Sequence, residues 1–384
     1  MQVKQIYTLV NSITNEILGK NDLLKEDLSN VADVGNEIFD NTAVDNYVNS
    51  LVNHIGKVIF VDRPYQGDIP SIMMDSWEFG SVLEKVSADL PNATETNDWN
   101  LENGQSYDTN VFYQPTVSAK FFNKKVTFEV DMSFTERQVK ESFSNSNQLN
   151  GFISMLYNTV DKAMTIKIDS LVMRTINNMT AETIYNEFPE ADYSTKSGIR
   201  AINLLKEFNT KFSQNLTAEA SITNPEFIRY ASMRIALVSN RMSKISTLFN
   251  LGGKEKFTPA DMQKIVMLTD FKVAADSYLQ SELFHENYTA LPKCDTVPYW
   301  QGSGTDYNFT AISKINVKSS SGHDVEVGGL LAVIFDRDSV GVANLDRRVT
   351  TNYNAKGEFF NNFYKFEAGY FNDTNENFVV FFVA

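Results

Sequence analysis

Little in this sequence is set out for chemistry. Its 384 residues include one cysteine, Cys294, so no disulfide can form within the chain and no zinc site built on cysteines is available. There are three histidines, His54, His285 and His323. Each stands apart from any second ligand at metal-binding spacing, and all three read as structural or surface residues. No Gly-rich phosphate loop follows a strand: Gly328-Gly329 precedes an apolar run, the wrong order for a dinucleotide turn. The chain has no Lys/Arg run of the kind that grips nucleic acid. It also has no stretch of roughly eighteen apolar residues able to cross a membrane. The opening segment, Met1 to Gly19, is amphipathic and lacks the apolar core of a signal peptide. With the cysteine count, this gives a cytosolic reading and no membrane partner.

What is present suits burial. The hydrophobic fraction is 42%, enough for a sizeable core, and aromatics reach 12% with 28 Phe, which calls for cores or interfaces to cover them. Acidic residues outnumber basic ones 48 to 34, a net charge of −14. Such a chain repels DNA at long range. The remaining chemical candidates are thin. Cys294 has no identifiable base beside it. Asp336 and Asp338 follow an apolar run, where acids can mark a metal or phosphoryl site, but turn capping is the simpler account. Glu84, Asp89, Glu95, Asp98 and Glu102 make an acidic stretch that a solvated face explains. No cofactor is implied.

Periodicity organises the chain. Val3, Ile6, Tyr7, Val10, Ile13 and Ile17 follow helical spacing, with Gly19 as a C-cap. This helix fits either an arm that packs on something else or the first helix of a core. A second helix is predicted from Thr42 to Ile55, stopped by Gly56, with a β-run at Lys57–Asp62. From Arg63 to Tyr113 the composition turns polar and Pro-punctuated, a long excursion of a kind that compact domains seldom hold without a partner. Its apolar residues, among them Trp77, Phe79, Val82, Leu83, Val86, Trp99 and Phe112, need a surface to cover them. A second subunit is the economical answer. Val117, Ala119 and Phe121 alternate on the return. After Asn123-Lys124, a possible turn, Val126, Phe128, Val130, Met132 and Phe134 form the clearest strand pattern, one face buried and the other wet. Thr135 and Gln138 make a capping-box pair. The longest helix is predicted from Leu149 to Met179, its stripe running through Phe152, Leu156, Val160, Ala163, Ile166, Met173 and Ile176. Asp192–Gly198 looks like a boundary. Helices are then predicted near Ile199–Phe212, Pro225–Phe249 and Pro259–Leu268, followed by strand-like pieces from Phe271 to Val317. Leu330–Phe335 reads as a fully buried strand, Phe363–Phe371 as another, and Phe378–Val383 as a last strand pinned inside a sheet.

That order of features resembles the tailed-phage major capsid fold, often called the Hong Kong 97 fold. Three runs look like capsid proteins of short-tailed phages of Gram-positive bacteria: Leu51-Val52-Asn53-His54-Ile55-Gly56-Lys57-Val58, Phe152-Ile153-Ser154-Met155-Leu156-Tyr157-Asn158, and Leu330-Leu331-Ala332-Val333-Ile334-Phe335-Asp336-Arg337-Asp338. The resemblance covers nearly the whole chain. It implies an α+β fold with an N-terminal arm and helix (1–56), an E-loop excursion (57–134), a peripheral domain with a spine helix (135–195), an axial domain (196–328) and closing strands of the peripheral domain (329–384). It also implies a subunit, not an enzyme, of an icosahedral or prolate head, assembling into hexamers and pentamers around double-stranded DNA that it does not bind specifically. Inter-subunit contact is expected at Trp77, Phe79, Val82, Trp99 and Phe112. The segment before Lys57 is short for a cleaved scaffolding role, so a separate scaffolding protein is expected, with a portal. The shell is expected to be noncovalent, although Lys120, Lys124 and Lys125 lie in the return arm. Assembly would occur in the host cytoplasm. Two alternatives share some features: an encapsulin-type nanocompartment shell, and a cytosolic α/β enzyme using the Asp336/Asp338 turn.

Overall fold

The structure, a computed structural model, describes residues 3–19, 23–41, 44–61, 72–74, 82–91, 93, 95, 102–104, 106, 110–193, 195–280, 292–300, 309–319 and 322–384. Contacts divide the chain into two units. The first draws on Met1–Trp77, Lys124–Arg174 and Val342–Gly369, the second on Glu78–Asn123, Thr175–Gly341 and Tyr370–Ala384.

In the first unit, helix Val3–Leu18 buries Ile6, Leu9, Val10 and Ile13 and ends at Gly19, as its spacing predicts. Helix Val31–Asn41 follows, and then helix Val44–Val61, which buries Tyr47, Val48, Leu51, Val52 and Ile55. Gly56 does not stop this helix, and Lys57–Val61 is its last part, not a strand. A Cβ at position 56 would come 2.7 Å from Val349 Cγ2, so the glycine is there for close packing. A mid-helix glycine costs only ~1 kcal/mol, which such packing offsets. Phe39, Tyr47 and Phe143 meet edge to face, with centroids 5.2–5.8 Å apart.

The first unit's sheet runs in the order Met73–Met74, Val340–Asn354, Phe359–Asn372, Lys125–Thr135. Lys125–Thr135 pairs antiparallel with Phe359–Asn372, from Thr135 opposite Phe359 to Lys125 opposite Gly369. The predicted alternation holds. Val126, Phe128, Val130 and Met132 are half-buried on one face, and only Phe134 is fully covered. The Thr135/Gln138 capping box is present in both directions and opens helix Glu136–Ser142. The long helix, Ser146–Glu187, is 42 residues and about 63 Å long, exceeding the predicted span at both ends. Ile166, expected on its buried stripe, is 65% exposed, because the covered row runs through Leu156, Val160, Met164 and Leu171 instead.

The second unit is organised by a five-stranded sheet in the order Ala201–Asn203, Phe378–Phe382, Leu330–Asp336, Gln263–Leu268, Asp295–Val297. The two apolar runs read as buried strands occupy adjacent inner places, and every residue of both is buried. Continuous rather than alternating apolarity is the mark of a strand covered on both faces.

Several predicted elements change here. Pro259–Leu268 is not a helix: Gln263–Leu268 is a strand, paired antiparallel with Leu330–Asp336. A short apolar run cannot distinguish the two, and pairing decides it. The helix expected from Ile199 starts at Leu204, after the three-residue strand. The one from Pro225 ends at Met242, because Ser246 turns to bridge Lys256. Thr269–Gln280, which overlaps the start of the span read as strand-like, is a helix. The expected boundary at 329 cuts across this sheet, which joins strands from both sides of it. The long strands Val340–Asn354 and Phe359–Asn372 lie mostly in the first unit.

Gly329 leads into the central strand at φ +70°, and a Cβ there would strike the Val383 carbonyl oxygen. Neither backbone nor space accepts a side chain. Gly329→Ala is expected to cost about 2 kcal/mol or more, read as a lower thermal midpoint of the full chain, whereas Gly151→Ala, in open space, should not lower it.

Candidate subunit interface

Strands Leu83–Ala88 and Val117–Phe122 form an antiparallel hairpin, in register from Leu83 opposite Phe122 to Ala88 opposite Val117. Side chains alternate between faces, so one face carries Leu83, Lys85 and Ser87 with Phe122, Lys120 and Ser118. The other carries Glu84, Val86 and Ala88 with Phe121, Ala119 and Val117. The first face is the more covered. An isolated hairpin in a monomer would do the reverse, turning its apolar face inward. Here Phe121 is 64% exposed, Val86 63% and Val117 57%. The chain leading into the second strand adds Phe112 and Tyr113, each 84% exposed. Beyond the first strand, Leu90, Ile245 and Leu248 border a shallow hollow of about 470 Å³.

The polar face is turned inward because it has a buried acid to meet. Lys85 Nζ donates to Asp373 Oδ2 at 2.7 Å and to the Asp338 carbonyl at 2.9 Å. Lys120 Nζ donates to Asp373 Oδ1 at 3.0 Å and to Thr374 Oγ1 at 3.2 Å. The Asp373 side chain is 3% exposed. Burial alone would raise its pKa, but Lys85, the Asn375 N–H and Lys120 together outweigh that and hold it below the usual carboxylate range. Glu376 takes Lys256 at 2.9 Å and, more loosely, Lys85 at 3.4 Å. Ser87 and Ser118 hydrogen-bond each other, and Phe122 meets Phe371 with centroids 5.1 Å apart.

Of the residues expected at subunit contacts, Val82 and Phe112 are exposed, beside this hairpin and on its lead-in. Trp77, Phe79 and Trp99 lie outside the described residues. Sequence reasoning missed the fastening set Lys85, Lys120 and Asp373. The only signal was a lysine in each strand, and nothing in the sequence aligned those lysines with each other or with a distant acid.

Asp336 is buried. It accepts from Thr258 Oγ1 at 2.7 Å and from the Asp338 N–H at 2.9 Å, so it closes a turn. Burial raises its pKa above the usual range. Burial also pushes the Cys294 thiol up, the wrong direction for a nucleophile. His54 Nδ1 lies 2.9 Å from the Ser50 carbonyl oxygen, and His323 stacks on Tyr185; His285 lies outside the described residues. Of the acidic stretch, Asp89 pairs with Lys254 at 2.8 Å. Among the described residues no group of His, Cys, Asp and Glu is placed to hold a metal, and no helix is long and apolar enough to cross a membrane.

Comparison with known proteins agrees with this fold. The family model described as Phi29-like phage major capsid protein matches residues 10–382. The major capsid protein of Bacillus phage GA-1 is 20% identical over 195 residues, 49% of this chain but 39% of that relative's length. The capsid structure of Staphylococcus phage Andhra superposes with a TM-score of 0.50 at 10% identity, covering 84% of this chain and 86% of that one. That last likeness is one of fold.

The two buried acids predict opposite pH behaviour. Asp373, with a depressed folded pKa, contributes stability above its unfolded pKa and loses it as pH falls through the folded value. Asp336, with a raised one, contributes stability at low pH that is lost as pH rises through its folded value. Melting curves from pH 7 downward should therefore show wild type gaining on Asp336→Asn. Wild type should lose ground to Asp373→Asn once pH drops below the ordinary aspartate range. A pH-independent difference for either variant would contradict its assignment.

Proposed function

The chain belongs to the Phi29-like phage major capsid protein family, and from that premise we propose that it builds a phage head by burying the outward face of its hairpin against another copy of itself. The family is one of structural capsid subunits, not enzymes, and the fold is that of tailed-phage capsids. The encapsulin and enzyme alternatives find no support beside it.

One observation carries the reading: the hairpin presents Phe121, Val86 and Val117 outward while its lysines face inward. Exposed apolar faces of this kind mark interaction sites. Each such side chain contributes ~1.5–3 kcal/mol when fully buried. Repeated around hexamers and pentamers, these contacts would supply the apolar centre that lasting interfaces need. Trp77, Phe79, Val82, Trp99 and Phe112 are assigned to the same neighbour contact. A separate scaffolding protein and a portal complete the head, and assembly takes place in the host cytoplasm. The net charge of −14 keeps packaged double-stranded DNA off the wall without specific binding.

Phe121→Asp combined with Val86→Asp is expected to abolish particles when the chain is produced with the phage's own head-assembly proteins. The variant subunit should keep its melting temperature within a few degrees, since both positions are exposed. Negative-stain microscopy and gradient sedimentation read the outcome. Shells at wild-type yield from the double variant would sink the proposal.

A further inference from the structure

The hairpin is seated by charge more than by packing. Lys85 and Lys120 stand opposite each other across the strand pair and reach the two oxygens of one carboxylate. Asp373 is itself fixed: its N–H donates to the Ser339 carbonyl at 2.7 Å, and its Oδ1 accepts from the Asn375 N–H at 3.0 Å. The remaining attachments flank this point. Phe122 packs on Phe371 at one end, where Lys85 also lies 5.9 Å from the ring centroid. Asp89 pairs with Lys254 at the other, a half-exposed bridge of small worth. Between them Ser87 and Ser118 satisfy each other, so they need nothing from the surface beneath. The hairpin's own six paired positions are internal to it and do not depend on the seat.

We infer that Lys85, Lys120 and Asp373 form a latch that holds the hairpin on the body of the second unit and whose opening frees the hairpin as an intact two-stranded arm. The two lysines act together. If one is lost, the other must hold an arm whose inward face offers only Leu83 and Phe122 as apolar contacts, both at one end. This does not rest on what the outward face meets, so it is tested on unassembled full-length chain, apart from the assembly experiment.

The test is acetylation of lysine amines, read by peptide mass spectrometry, with amide hydrogen exchange in parallel. In wild type, Lys85 and Lys120 should label at least tenfold more slowly than Lys318, which is 73% exposed. Lys120→Met should bring Lys85 towards the rate of Lys318, and Lys85→Met should do the same for Lys120. Amide protection within Leu83–Ala88, Leu330–Asp336 and Phe378–Phe382 should persist. Asp373→Asn should release both lysines at once; if that variant unfolds, the two methionine variants decide. Unprotected lysines in wild type would overturn the latch, as would a remaining lysine that stays protected after its partner is removed. Loss of hairpin amide protection on release would overturn the intact arm.

Discussion

A carboxylate buried as deeply as Asp373 exists only because two ammonium groups meet it. An unpaired charge in that position would cost several kcal/mol, so loss of a lysine is costly even though the cluster gains little over a well-packed apolar replacement. What the arrangement supplies is specificity. A one-residue slip of the hairpin would exchange its faces, bringing Glu84 towards Asp373 and Glu376 in place of Lys85. Like charges there would repel, so one seating is strongly preferred. The outward direction of Phe121, Val86 and Val117 then follows from strand alternation alone. The exposed apolar face is the consequence of a buried acid on the other side.

The acid is held beside the most deeply buried strands of the second unit. Asp373 lies in the turn between strand Phe359–Asn372 and the wholly buried strand Phe378–Phe382. The same turn is tied by Gly252 N–H to the Thr374 carbonyl, and the strand start by Phe378 N–H to the Phe249 carbonyl. Close by, Thr258 links Asp336 to Asn377 through its hydroxyl. These hydrogen bonds tie the turn that carries Asp373 to neighbouring loops of the second unit. The chain passes between the two contact units five times. Neither unit is therefore a continuous stretch of sequence, and neither could be cut out as one.

This explains what could be read from the residues and what could not. Elements whose signal is local were legible: the Gly19 helix end, the Thr135/Gln138 capping box, the alternation from Val126 to Phe134, and the buried runs at Leu330 and Phe378. Elements whose identity depends on distant partners were not. Gln263–Leu268 is a strand because Leu330–Asp336 lies beside it, and Gly56 continues a helix because Val349 packs against it. The inward turn of the hairpin's polar face was not legible, since Lys85 and Lys120 are aligned by pairing and Asp373 lies some 250 positions further on. The contact units gather segments from distant parts of the chain, an arrangement that boundaries drawn along the sequence do not follow.

A free subunit of this design carries two opposed tendencies. Its apolar hairpin face favours association, while its net charge of −14 disfavours it. The two respond differently to salt. Repulsion between subunits acts through solvent and falls away beyond a Debye length of about 8 Å at physiological ionic strength. The apolar attraction is not screened, and the Lys85–Asp373–Lys120 cluster, whose carboxylate is buried, is screened less than surface charge. Salt therefore removes the barrier between copies before it loosens the arm that would join them. Under the proposed assembly, the acidic surface would delay contact between subunits and the buried acid would keep the contacting face presented until contact occurs.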